Sequence, residues 1–266
     1  MARNTPTGPP PPPPVQKLRL RYTKRGRLRF TSHRDIARAF ERALRRAQVP
    51  MAYSAGFSPH PKISWVGAAP TGVASEAEYV EISVSERVDL VRLRQALDES
   101  LPAGIDITEV VEAPVGSSLP DRIEASDWSI LLPGVGLDAA QQAVSLFLTA
   151  TEIPVERLMK QGLRTLDARA AVLRMSAAGD QDCATLSVVV RHVTPAVRPD
   201  DVLSGLRSVA DLAPPMPPQA TRLAQGPLTE TGEVGDPLAP DRLHAEAPGA
   251  TRAGADLEQV AAGSPT

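Results

Sequence analysis

The sequence predicts an α+β fold made of two small sandwich units, of which the first is ferredoxin-like. Between residues 17 and 113, alternating strands and amphipathic helices follow the order β-α-β-β-α-β, which is typical of the ferredoxin-like arrangement. Residues 121–220 contain a second series of strands and helices. The sequence therefore predicts a first, basic domain over 17–113 and a second α+β domain over 121–220.

Both ends of the chain are predicted to be disordered. Pro9 to Pro14 form a polyproline tract, so residues 1–16 are expected to be a disordered, Pro-rich leader. From residue 226 the chain is rich in Pro, Gly, Ala, Asp and Glu without any periodicity. This composition favours a disordered tail over 226–266.

The first unit begins with charged and apolar residues that alternate over 17–22, which predicts a half-buried strand with Leu18, Leu20 and Tyr22 inward. A turn and a short strand over 27–30 follow. Ser32 is the predicted N-cap of a helix that ends near residue 47, because Asp35 stands three residues later. The remaining predicted elements are a strand over 63–66, a strand over 79–84, a helix over 88–101 and a strand over 105–111.

A linker over 114–120 separates the two predicted units. In the second unit, the same patterns predict a strand over 128–132, a helix over 138–149, strands near 155–160, 163–175 and 184–192, and a helix over 199–209. We see no clear sequence self-similarity between the two units.

The composition excludes several classes of protein. No run of about 18 apolar residues is present, so no transmembrane helix is predicted. Cys183 is the single cysteine of the chain, which rules out an intramolecular disulfide and a cluster held by cysteines of this chain alone. No phosphate-binding, dinucleotide, nucleophile-elbow or zinc motif is found. We therefore expect a cytoplasmic protein with no cofactor and no metal.

Charge is distributed very unevenly along the chain. Between Lys17 and Lys62 there are thirteen Lys and Arg residues but only two carboxylates. Between Glu76 and Glu112 there are ten carboxylates and only three arginines. Such an asymmetry indicates a polyanion as the binding partner, since clustered Arg and Lys bind phosphates without regard to sequence. The alternative is a solvated surface that the acidic stretch partly neutralises.

Fifteen residues form the predicted nucleic-acid-binding set. They belong to the basic segment, to the start of the following helix, to a Pro-rich loop and to a predicted hairpin: Arg19, Arg21, Lys24, Arg25, Arg27, Arg29, Ser32, His33, Arg34, Arg38, His60, Lys62, Lys160, Arg164 and Arg169.

Some members of this set have plain structural explanations. Ser32 and Asp35 can form a cap and nothing more, whereas His33 is not needed for capping. The loop that carries His60 and Lys62 can be a simple turn. Asp167 and Arg169 can form an ion pair along one strand face. An acid–base or metal site built from His33 and His60 is not favoured, because two distant histidines are weak support for either.

Four segments of the chain resemble the radical-SAM-linked domain family, a bacterial family of unassigned function. They are RYTKRGRLRFTSHRD at 21–35, YSAGFSPHPKIS at 53–64, PTGVASEAEY at 70–79 and RLMKQGLRTLDAR at 157–169. The resemblance covers about residues 17–220. It implies a cytoplasmic accessory role near RNA processing or radical-SAM-dependent modification, and it carries no catalytic residues to this chain.

Two functions follow from the charge pattern and the resemblance together. The first is a non-catalytic accessory protein that binds RNA, either tRNA or an RNA linked to a ribonuclease. The alternative is a docking or substrate-presenting subunit for a radical-SAM protein, in which the basic surface meets an acidic protein surface. An enzyme that uses His33 and His60 is the least favoured reading, and no membrane partner is expected.

Overall fold

The structure is a computed structural model, and it describes residues 11–159 and 162–246. Over these residues the chain forms ten strands and six α-helices, which confirms the α+β class. In chain order they are β1 (Gln16–Lys24), α1 (His33–Arg46), β2 (Ile63–Val66), β3 (Ala74–Val84), α2 (Leu90–Ser100), β4 (Ile107–Glu112), β5 (Ala125–Pro133), α3 (Leu137–Thr149), β6 (Pro154–Met159), β7 (Gly162–Asp167), α4 (Ala168–Ala171), β8 (Val172–Gly179), β9 (Cys183–Arg191), α5 (Pro199–Ala210), β10 (Gln219–Gly226) and α6 (Ala239–Glu246).

Eight of the strands form one sheet. Its order is β4-β1-β3-β10-β5-β9-β8, and β2 also pairs with β3. All of these pairs are antiparallel except β10 with β3, which are joined in parallel through Thr221 opposite Ala74 and Arg222 opposite Ser75. This parallel pair links the two halves of the chain into a single sheet. Strands β6 and β7 form a separate hairpin.

Helices α1 and α2 cover one face of the first half of the sheet. Leu18, Leu20 and Tyr22 of β1 are buried there against Phe40 of α1, as the alternation predicted. Ser32 caps α1, because its hydroxyl oxygen accepts a hydrogen bond from the Asp35 amide. The predicted strand over 27–30 is instead a turn of 3-10 helix over 26–30, entered through Gly26 at a φ of 56°.

The opposite face of the first half is covered by segments that follow it in the sequence. Tyr79 of β3 and Val111 of β4 pack there against Leu119 and Leu238. Leu238 lies within the predicted disordered tail, so that prediction differs from the structure over residues 226–246. Leu238 and Asp241 are buried against the sheet. These long-range contacts order a segment whose own composition favours disorder. Residues 247–266 and residues 1–10 of the predicted leader lie outside the described residues.

Arg19 holds the C-terminal segment in place. It stands on the face of β1 opposite to Leu18 and Leu20, and it is 0% exposed. Its Nε donates to Glu81 at 2.9 Å, and its Nη1 donates to both carboxylate oxygens of Asp241 at 2.7 and 2.8 Å. Arg122 also donates to Asp241, at 3.0 Å. A buried guanidinium requires such partners, so α6 is tied to the sheet by charge as well as by apolar contact.

The second half has its own core, which contains Ile130, Phe147, Leu186 and Leu206. The strand predicted over 163–175 is broken by α4, because Asp167 caps this short helix through the amide of Arg169. Strand β10 was not predicted. No helix among the described residues is long and apolar enough to cross a membrane.

We expect Asp241→Asn to lower the free energy of unfolding by about 3 kcal/mol, since the change removes the charge that Arg19 and Arg122 share while keeping the shape of the side chain. Glu246→Gln, on the exposed end of the same helix, is the matched control and should change the stability by less than about 0.5 kcal/mol. Urea unfolding at neutral pH measures both. Equal stability of the two variants would show that α6 is not held by this buried pair.

Candidate nucleic-acid interface

The basic strand β1 does not form an open positive surface. It lies between β3 and β4, the two strands that carry most of the nearby carboxylates. Arg19 is buried as described, and Lys24 is 1% exposed. The Lys24 ammonium donates to the carbonyl oxygen of Pro70 at 3.0 Å, and burial lowers the pKa of Lys24. Neither residue can reach an external phosphate, which corrects their place in the predicted set.

Arg21 and Arg25 both bond to residues of the acidic stretch. Arg25 is ion-paired with Glu76 and, at 3.1 Å, with Asp106. The hydrogen bonds that the Arg25 guanidinium donates to the Glu76 carboxylate are the main cause that raises the pKa of Arg25. Arg21 donates from Nε to the carbonyl oxygen of Glu76 at 3.2 Å. The acidic stretch therefore folds back onto the basic strand and neutralises much of its charge.

The two arginines of the 3-10 turn over 26–30 differ in exposure and in their contacts. Arg29 is half-buried, donates to Gln219 at 3.1 Å and lies with its guanidinium carbon 4.7 Å from the centre of the Phe30 ring. Arg27 is exposed and makes no ion pair with any described residue. Arg27 is therefore the one basic residue of this turn that is available to a ligand.

Helix α1, unlike β1, has its arginines on an exposed surface. Its buried side is formed by Ile36, Phe40, Ala43 and Leu44, which pack on the sheet. The opposite side carries five exposed arginines, four of them spaced four residues apart: Arg34, Arg38, Arg42, Arg45 and Arg46. Residues four apart lie on the same side of a helix, and the stretch from 34 to 46 is about 18 Å long.

The arginines of α1 are poorly neutralised. Among the described residues, the one ion pair that they make joins Arg38 to Asp35 at 3.5 Å, and both side chains are more than half exposed. Such a pair contributes little. Arg45 donates from Nε to the carbonyl oxygen of Glu41 at 3.2 Å, which leaves its charge unpaired. This exposed side of α1, which we call the arginine face, is the strongest positive feature of the described chain.

A loop over residues 53–62 lies next to the arginine face. It is closed by hydrogen bonds between Ser54 and His60, one from each backbone amide, at 2.9 and 3.0 Å. Tyr53 is 43% exposed and Phe57 is 69% exposed, and Lys62 is also on the surface. A cleft lined by residues of α1 and by Tyr53 and Pro61 joins the loop to the helix. Aromatic rings and arginines are thus displayed side by side.

The two histidines of the predicted set lie apart. The His33 ring packs edge-on against Trp65 at 5.1 Å, at the start of α1. His60 precedes Pro61, which lies beside Glu41 and Arg45 in the second half of the helix. Eight or more helical residues separate these positions, or about 12 Å. No hydrogen bond joins His33 to His60 among the described residues, and no group of metal-ligating side chains is found there.

The predicted second contact, on the hairpin β6–β7, is not joined to the arginine face. Arg169 turns inward and donates to the carbonyl oxygens of Leu148 and Val172, at 3.2 and 2.9 Å. The expected Asp167–Arg169 ion pair is absent among the described residues, because Asp167 accepts from the Arg169 backbone amide instead. Arg164 is exposed, and Lys160 lies outside the described residues.

Of the arginines of α1, the set predicted from the sequence includes only Arg34 and Arg38. Arg42, Arg45 and Arg46 belong to the same face, and the four-residue spacing was the signal for them. The aromatic residues Tyr53 and Phe57 were also left out. Nothing in the local pattern distinguishes them from core aromatics, since exposure depends on how the loop closes.

The chain belongs to the DUF2344 family, described as an uncharacterized protein conserved in bacteria, whose family model matches residues 17–199. No curated protein matches it. Among solved structures, an unknown protein from Galdieria sulphuraria is 13% identical, with a TM-score of 0.23, and the match covers 79% of this chain and 99% of that one. DyPB from Rhodococcus jostii RHA1 is 11% identical, with a TM-score of 0.22 and coverage of 73% and 84%. The encapsulated DyP-type peroxidase from Mycobacterium smegmatis is 10% identical, with a TM-score of 0.19 and coverage of 82% and 94%. TM-scores this low support no conclusion about fold or function.

Reaction with phenylglyoxal, which modifies accessible guanidinium groups, should separate the two kinds of arginine. We expect Arg34, Arg42 and Arg46 to be modified first, and Arg19 and Arg222 to be protected, because the latter two are buried and ion-paired. Peptide mass spectrometry reads each site, and a reaction in urea is the control in which protection is lost. Modification of Arg19 as fast as Arg42 in the folded protein would contradict the assignment.

Proposed function

We propose that this DUF2344 protein is a non-catalytic accessory protein that binds RNA through the arginine face of α1 and the adjoining loop. The observation that carries the proposal is the set of five exposed arginines on one side of α1, which has Asp35 and Glu41 as its only carboxylates. A dense positive field of this kind attracts phosphates without regard to sequence.

The geometry of the sheet strengthens the proposal by removing the competing carboxylates. Glu78 and Glu81 are buried and paired with Arg222 and Arg19, and Glu76 is paired with Arg25. They therefore cannot swing over to neutralise α1. Arginine also suits the purpose better than lysine, because its planar group binds phosphate through two hydrogen bonds and stacks on bases.

The exposed aromatic rings favour single-stranded RNA over a duplex. Unpaired bases stack on aromatic side chains, which contribute about 1–3 kcal/mol for each base. Phe57 at the tip of the loop, Tyr53 at its base and Phe30 beside Arg29 are exposed rings of this kind. A duplex keeps its bases stacked inside and would leave these rings unused.

We further propose that each half of the chain follows the ferredoxin-like plan. The first half has the strand order β4-β1-β3-β2 and the second has β10-β5-β9-β8. In both, the first and third strands are central, which supports this plan. The hairpin β6–β7 and α4 would then be an insertion in the second half. A cytoplasmic location also belongs to the proposal, because it is where RNA and a single free cysteine are expected together.

The alternative is a docking or substrate-presenting subunit for a radical-SAM enzyme. It uses the same arginine face, which would then meet an acidic protein surface. A complex that survives ribonuclease treatment and dissociates when the arginine face is reversed would favour this alternative.

Reversal of three charges on the arginine face tests the RNA-binding proposal. We expect Arg34→Glu, Arg38→Glu and Arg42→Glu together to weaken binding of single-stranded RNA by more than about tenfold at low salt. The slope of log K against log salt should also fall by about 2, because three phosphate contacts are lost at about 0.7 each. Fluorescence anisotropy with labelled RNA measures both quantities.

The matched control reverses three exposed arginines of the second half, Arg174, Arg191 and Arg207. It changes the net charge by the same amount, so a general electrostatic effect would weaken both variants equally. Equal weakening, or the absence of RNA binding by the wild-type chain at low salt, would contradict the proposal.

A further inference from the structure

A cavity of about 220 Å³ opens between α1 and the loop over 53–62, beside the arginine face. It is lined by Glu41, Leu44 and Arg45 from the helix, and by Met51, Tyr53 and Pro61 from the other side. The predicted binding set contains none of these residues. The cavity therefore needs an explanation separate from phosphate contact.

The walls of the cavity suit a flat heterocycle better than a phosphate. Leu44 is buried and Met51 and Pro61 are half-buried, so the floor and one side are apolar. Tyr53 adds an exposed aromatic ring on which a base can stack. A phosphate placed here would lose water against apolar groups and would meet the negative charge of Glu41.

Glu41 supplies the polar recognition element. Its carboxylate has two acceptor oxygens and no donor, and among the described residues it makes no ion pair or hydrogen bond through them. The neighbouring Arg45 is anchored by its hydrogen bond to the Glu41 carbonyl oxygen, 3.2 Å away. The Arg45 guanidinium, which can bind an RNA phosphate, therefore lies beside the Glu41 carboxylate, which can accept hydrogen bonds from the edge of a base.

Guanine is the base whose edge fits a carboxylate. Its N1–H and its 2-amino group are adjacent donors that can bond to both oxygens at once. Adenine, cytosine and uracil each place an acceptor next to their donor, and that acceptor would repel the second oxygen. Recognition of unpaired bases through this edge is a common mode in RNA-binding proteins.

We propose that the cavity is a guanine-selective subsite for single-stranded RNA, with Glu41 as the specificity-determining residue and Tyr53 as the stacking residue. This inference rests on the proposed RNA binding and adds a base preference to it. The arginine face then supplies affinity for any RNA, and the cavity selects which base is held beside it.

The test compares three short oligouridine RNAs that carry one central guanosine, inosine or adenosine. We expect the guanosine RNA to bind about tenfold more tightly than the adenosine RNA, with inosine between them, because inosine keeps N1–H but lacks the 2-amino group. Anisotropy titrations of the full chain give the three dissociation constants, and their ratios report selectivity apart from overall charge.

Glu41→Gln should reduce the guanosine-to-adenosine ratio to about one, since the amide presents a donor where guanine needs an acceptor. Glu86→Gln, an exposed carboxylate outside the cavity, is the control and should keep the wild-type ratio. Equal binding of the three RNAs, or a preference that survives Glu41→Gln, overturns the guanine subsite while RNA binding stands. Failure of every RNA to bind at low salt overturns the proposed function itself.

Discussion

The buried guanidinium of Arg19 is the interaction on which the rest of the structure depends. A charge in the middle of a sheet is tolerated only when partners surround it, and Glu81 and Asp241 supply them from β3 and α6. Because Asp241 is near the end of the described chain, the C-terminal segment must return to cover the sheet. That face is thereby closed to ligands. With α1 and α2 over the other face, the basic residues that remain available lie mainly on the outer side of α1.

Arginine thus has two roles in this protein: it forms internal ion pairs where acidic strands lie beside it, and it forms an exposed positive surface where they do not. In β1 and directly after it, Arg19 and Arg25 are paired with carboxylates of the acidic stretch, which explains how a chain with such uneven charge can fold compactly. Helix α1 carries only the carboxylates Asp35 and Glu41, and the one ion pair that forms among the described residues, Arg38 with Asp35, is exposed, so the arginines of α1 stay largely unneutralised. A cluster of basic residues in the sequence therefore predicts a larger positive surface than the fold presents when part of the cluster lies in a strand whose neighbouring strands are acidic.

Much of the fold follows from local pattern. Alternation placed Leu18 and Tyr22 in the core, and Ser32 with Asp35 fixed the start of α1. The pattern failed where long-range contacts decide the outcome. The segment from 226 to 246 looks disordered because its own composition is polar, but Leu238 and Asp241 are buried by residues more than 100 positions away. The burial of Arg19 and Lys24 was missed for the same reason, since strand register and the returning segment cannot be read from β1 alone.

Ultraviolet crosslinking of bound single-stranded RNA, followed by peptide mass spectrometry, tests most directly whether the exposed side of α1 and its loop form the contact surface. Aromatic residues that stack on bases crosslink efficiently at close range, so adducts are expected on Tyr53 and Phe57 and on peptides of α1. Adducts confined to the hairpin β6–β7, or to the face of the sheet that α6 covers, would contradict this assignment of the surface.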